Sequence, residues 1–168
     1  IGRLADTLGD AEAAAGFARE CSRLLLHLDQ MHKPVVAALN GMALGGGLEL
    51  ALRCSALVAV EGATLQLPEV TLGIAPGIGG LVVPFRRWPN AAPILHDMLA
   101  TGRRLSAREA KELGVVAGLA TSYQDVVRLA VEEVRARAGK PRPSLDAPLA
   151  IAPPVASTAA RPNKGPGG

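Results

Sequence analysis

The chain has 168 residues, 49% of them apolar and 20% charged, which is one domain's length with enough apolar material for a core. Its net charge of +3 lies behind residue 138, where Lys140, Arg142, Arg161 and Lys164 face only Asp146; residues 1–138 hold 14 basic and 14 acidic side chains. A neutral body with only Phe17, Phe85, Trp88 and Tyr123 as aromatic residues lacks the basic surface and stacking platforms of a nucleic-acid binder, and no apolar run reaches the roughly 18 residues that span a bilayer.

Asp10 to Met31 is predicted as a helix, because Phe17, Cys21, Leu24, Leu28 and Met31 recur on one face of a 3.6-residue period. Lys33-Pro34 ends it. Pro34 to Leu39 reads as a buried strand, Asn40-Gly41 as a turn and Leu48 to Cys54 as a short helix. Ala56 to Val60 and Thr64 to Gln66 are the next expected strands, separated by a turn at Glu61-Gly62. The cluster Pro76-Gly77-Ile78-Gly79-Gly80 is expected to open a further helix, and Ala91 to Ala100 another. Ser106-Ala107-Arg108-Glu109 has the form of a capping box. The helix it starts stops at Gly114, and Val115 to Ala120 is a short apolar segment. Gln124 to Ala138 reads as an amphipathic helix with Val127, Ala130, Val131 and Val134 on one side.

From residue 139 the composition changes. Seven of the 13 prolines fall there, so the expected organisation is one domain over 1–138 and a disordered Pro-rich tail over 139–168. Strands alternating with helices imply an α/β fold with mainly parallel pairing and a helical second half. Cys21 and Cys54 form no CxxC unit; two buried, reduced thiols in a cytoplasmic protein are expected. The N-terminus shows neither a leader pattern nor an initiator methionine, so a fragment or a processed product is expected.

The chemistry centres on GMALGGGLELAL, Gly41 to Leu52. No G-x-G-x-x-G fingerprint, G-K-[ST] or G-x-S-x-G occurs, which excludes the corresponding dinucleotide, P-loop and nucleophile-elbow sites. A strand, a glycine turn and a helix N-terminus remain. Such a terminus presents unpaired N–H groups to a ligand oxygen, or the glycines serve only close helix–strand packing. Glu49 and Glu69 both stand among apolar neighbours. They suit an acid/base pair with tuned proton affinities, or each is an ordinary exposed or capping glutamate. His27, His32 and His96 are scattered without metal or triad spacing. Arg86-Arg87 and Arg103-Arg104 could touch phosphates but read better as solvated faces, and Trp88 as packing.

NGMALGGGLELAL followed by LQLPEVTLGIAPGIGG resembles the crotonase, or enoyl-CoA hydratase/isomerase, superfamily, and GRRLSAREAKELGVV extends the likeness. The resemblance runs from about Asp10 to Ala138 and implies a spiral of ββα units, here partial. It places Gly46 as an oxyanion-hole N–H donor for a thioester carbonyl, with Glu49 and Glu69 as catalytic carboxylates. The implied reaction is syn addition of water to a 2-enoyl-CoA. The resemblance with both carboxylates present implies a hydratase, with an isomerase as the alternative; the missing N-terminal half of the oxyanion hole instead favours a non-catalytic acyl-CoA-binding or assembly fragment for the chain as given. No metal or redox cofactor is implied, since coenzyme A is part of the substrate; a homotrimer or hexamer is the implied assembly of the complete protein. The family's N-terminal oxyanion motif and closing C-terminal helices have no counterpart here. One missing donor would weaken the oxyanion hole by about 3–4 kcal/mol.

Overall fold

Helix α1 (Ala11–Gln30) begins where the carboxylate of Asp10 accepts the N–H groups of Glu12 and Ala13, both at 3.0 Å. Two otherwise unpaired donors of its first turn are thereby satisfied. The computed structural model describes residues 9–142; most of the expected tail lies outside them.

After α1 the chain lays down two strands that enter different sheets. β1 (Val36–Leu39) pairs in parallel with β3 (Ala56–Val60), with Val36 opposite Ala56. β2 (Met42–Leu44) pairs in parallel with β4 (Thr64–Gln66), with Met42 opposite Thr64. Helix α2 (Gly46–Arg53) carries the chain from the end of β2 back to the start of β3. Each β–β step thus turns a corner between the sheets, and successive turns stack as a spiral. The parallel strand pairs require such crossovers, because two parallel neighbours cannot be joined by a tight hairpin.

The second half is mainly helical: α3 (Val83–Arg87), α4 (Ala92–Thr101), α5 (Ala107–Glu112) and α6 (Tyr123–Arg137). It also adds one short strand to each sheet. β5 (Leu105–Ser106) pairs antiparallel with β4, and β6 (Gly118–Ala120) pairs in parallel with β3. β2, β5 and β6 are two or three residues long, too short for periodicity to reveal.

Strand β3 is central and covered on both faces, hence its unbroken apolar run ALVAV. Leu57 and Ala59 enter a core shared with Leu48, Leu52, Leu65 and Leu105. Val58 points the other way, against Ala120 of β6 and Val126 of α6. Each fully buried leucine contributes about 1.5–3 kcal/mol of transfer free energy. The capping box at Ser106 forms as expected: its hydroxyl accepts the Glu109 N–H at 3.2 Å, while Glu109 Oε2 accepts the Ser106 N–H at 2.9 Å. Among the described residues no helix is long and apolar enough to cross a membrane.

Candidate active site

Gly45 joins β2 to α2 with φ 51° and ψ −129°, a corner that residues with a side chain rarely adopt. Its N–H donates to the Gln66 carbonyl at 3.0 Å, which ties the corner to the end of β4. A Cβ at this position would stand 3.0 Å from Glu69 Oε1. Glycine is therefore needed twice here, for the turn and for the carboxylate beside it. Gly46 and Gly47 follow as the exposed first residues of α2. Their N–H groups precede any intrahelical acceptor and lie at the positive end of the helix.

Glu49 lies in the first turn of α2, where a negative charge is favoured, and is only 3% exposed. Its Oε1 accepts the Gly80 N–H at 2.8 Å and the Ile78 N–H at 3.0 Å. The second glycine cluster was expected to open a helix, but α3 starts only at Val83. The Ile78 and Gly80 donors instead orient a carboxylate. A Cβ on Gly80 would come within 2.9 Å of Pro76 Cβ and 3.1 Å of Glu49 Oε1, so the close approach requires glycine.

Glu69 opens the 3₁₀ turn Glu69–Leu72 that follows β4 and is 9% exposed. Its Oε2 is buried with no hydrogen-bond partner among the described residues. Burial raises its pKa above the usual carboxylate value; its own backbone N–H lowers it in part, and the charge of Glu49 raises it further. The corner at Gly45 therefore gathers the three expected site residues: Gly46 at the helix start, Glu49 one turn inside, and Glu69 against the corner itself. Met42, Leu44, Leu50, Val70 and Leu72 are exposed apolar side chains on the same elements.

One carboxylate is oriented by two backbone donors; the other is buried with an oxygen that has no partner among the described residues, which favours its proton. Two carboxylates with contrasting environments can divide the tasks of base and acid. Among the described residues no group of three His, Cys, Asp or Glu side chains is arranged to hold a metal ion.

The other candidates lie elsewhere. His27, His32 and His96 are exposed and apart. Arg86-Arg87 is not a solvated face: both are half-buried, and Arg87 donates to the carbonyls of Leu52, Cys54 and Ser55 at the end of α2. Its guanidinium stacks 4.4 Å from the centroid of Trp88, and burial pulls its pKa down to about 10. Arg103 pairs with Asp97 at 3.5 Å and Glu109 at 2.7 Å, and Arg104 donates to the Gln66 side chain. Cys54 is buried and Cys21 half-buried, both as free thiols; burial pushes the Cys54 thiol up, against the pull of Arg142 and Arg87. Sequence reasoning missed the Ile78 and Gly80 donors and also Arg53. A second charge one turn past Glu49, in an otherwise apolar helix, was the available signal.

A family model described as enoyl-CoA hydratase/isomerase matches residues 4–148. The carnitinyl-CoA dehydratase of Proteus mirabilis (strain HI4320) is 38% identical over 141 residues, 83% of this chain and 48% of the relative. The crystal structure of enoyl-CoA hydratase from Bacillus anthracis superposes with a TM-score of 0.68 at 35% identity, covering 79% of this chain and 51% of that one. An enoyl-CoA hydratase from Polaromonas sp. JS666 gives 0.70 at 29% identity, over 80% and 52%. The chain spans about half the length of these relatives.

Proposed function

We propose, because the chain belongs to the enoyl-CoA hydratase/isomerase family, that Glu49 and Glu69 act as an acid/base pair that adds water across the double bond of a 2-enoyl-CoA thioester. The observation that carries this reading is the meeting of two buried, differently held carboxylates beside Gly46, an exposed residue at the start of α2.

Glu49, oriented by Ile78 and Gly80, takes a proton from water as its oxygen bonds to the β-carbon. The double-bond electrons move towards the thioester, whose oxygen gains charge and accepts the Gly46 N–H. Glu69, whose surroundings favour the protonated form, gives its proton to the α-carbon on the same face. Reversal of each step removes water, the direction for which the dehydratase relative is named. Coenzyme A enters as part of the substrate, and no step draws on a metal or redox group. The assembly proposed with this activity is a homotrimer or hexamer, readable by sedimentation.

The test is hydration of crotonyl-CoA, followed by loss of its enoyl-thioester absorbance. Glu49→Gln keeps an acceptor oxygen for Ile78 and Gly80 but removes the base, so a folded variant should lose activity by a factor of about 10² to 10⁴. A folded variant with unchanged rate would overturn the assignment.

A further inference from the structure

Glu49 and Arg53 lie one turn apart on α2 and grip the same loop from two sides. Arg53 is 9% exposed. Its Nε and Nη2 donate to the Ile78 carbonyl at 3.2 and 3.0 Å. Ile78 is thus held at both ends, its N–H by Glu49 and its carbonyl by Arg53. The fork of Arg53 is anchored by Nη1, which donates to Asp29 Oδ2 on α1. Gly79, at φ 130°, passes so close that a Cβ there would be 2.7 Å from Arg53 Nη2.

Behind this grip lies a cavity of about 750 Å³ lined by Asp29, Arg53, Gly77, Gly79, Leu81 and Val82 among others. Neither Glu49 nor Glu69 lines it. Because Gly77 and Gly79 line it, the cavity gives the 77–80 loop free space to move into. Without Arg53 the Ile78 carbonyl has no hydrogen-bond donor among the described residues, and the 77–80 backbone can turn into that space. The Ile78 and Gly80 N–H groups would then swing off the carboxylate.

We infer that Arg53, held by Asp29, is a positioning residue that aims Glu49 by fixing the Ile78–Gly80 backbone. This role rests on Glu49 being the group that handles water in the reaction proposed above. A planar guanidinium aims donors on two nitrogens at the carbonyl and one on a third at Asp29, a spread that lysine, with its three donors on one nitrogen, and glutamine, with two, cannot match.

The test compares the full chain with Arg53→Gln, Arg53→Lys and Asp29→Asn, by amide hydrogen exchange and by crotonyl-CoA hydration. Arg53→Gln should speed exchange of the Ile78 and Gly80 amides at least tenfold while amides of β3 and α6 stay within twofold. Its kcat should fall about tenfold with KM within twofold, because aim matters in the transition state more than in binding. Arg53→Lys should recover part of both effects, and Asp29→Asn, which keeps every atom of the fork, should show them in weaker form. Unchanged Ile78 and Gly80 exchange in folded variants would overturn the role, as would exchange that quickens equally along the whole chain. A parent that shows no hydration refutes the proposed function alone, and the exchange result then decides the positioning role by itself.

Discussion

Replacing Gly45 by alanine perturbs the corner on which the site is built. Its φ of 51° and ψ of −129° lie where a Cβ meets backbone strain, a cost of about 1–3 kcal/mol. The new Cβ would also stand 3.0 Å from Glu69 Oε1. That carboxylate is poorly placed to retreat, since its other oxygen is already buried without a partner among the described residues. Alanine recovers about 0.4–1 kcal/mol by restricting the unfolded chain. The net expectation is a loss of about 1–2 kcal/mol, or a Tm lower by about 3–8 °C for a domain of this size. Gly47→Ala is the matched control. Gly47 lies inside α2 with no positive φ, and a Cβ there meets nothing within 4 Å. It should raise stability by about 0.5–1 kcal/mol, or about 2–4 °C. Thermal melts of both variants at pH 7, followed by circular dichroism, decide the matter. Equal shifts in the same direction would refute the claim that the fold demands glycine at Gly45 and not at Gly47.

Glu69 also makes stability depend on pH. Its folded pKa is raised, so the folded state holds the proton more tightly than the unfolded chain does. The parent should lose stability relative to Glu69→Gln as pH rises from the ordinary carboxylate value of 4.5 through the raised folded value, and the gap should then level off. Melts from pH 4 to 8 read this directly; a gap independent of pH contradicts it. Ser106→Ala should cost about 1 kcal/mol by removing the cap of α5. Bonds from the Ser106 hydroxyl and N–H hold the Glu109 pKa below its usual value. That stabilisation is present above the ordinary carboxylate pKa and fades as pH falls through the lowered one, so the Ser106→Ala deficit should narrow in acid. Denaturation by urea at two pH values measures it.

The sequence was most legible where a local rule acts alone. Ser106 announced its helix through a side chain that caps, and the apolar period of α1 marked its length to within a residue at each end. The buried run of β3 was equally plain. β2 and β5 were not, because they are short, adjoin residues that read as a turn or a helix cap, and are held by partners distant in the chain. Glu49 and Glu69 stood out as charges among apolar neighbours, and the structure gathers them at one corner. What holds Glu49 was hidden. The Ile78 and Gly80 donors are backbone groups, and glycines that read as a helix start are there to let a carboxylate approach. The arginines of Arg86-Arg87 misled for a related reason: bonds to carbonyls across the fold make a charged pair buried.

The most direct test of the central claim is hydration of crotonyl-CoA in D₂O, with the product's α-carbon read by NMR for the parent and for Glu69→Gln. The account predicts that the parent forms the 3-hydroxyacyl thioester with one deuterium at the α-carbon, on the same face as the new hydroxyl, and that Glu69→Gln is slower by a factor of about 10² or more. A folded parent that forms no product, or a Glu69→Gln variant that deuterates at the parent's rate, would contradict it.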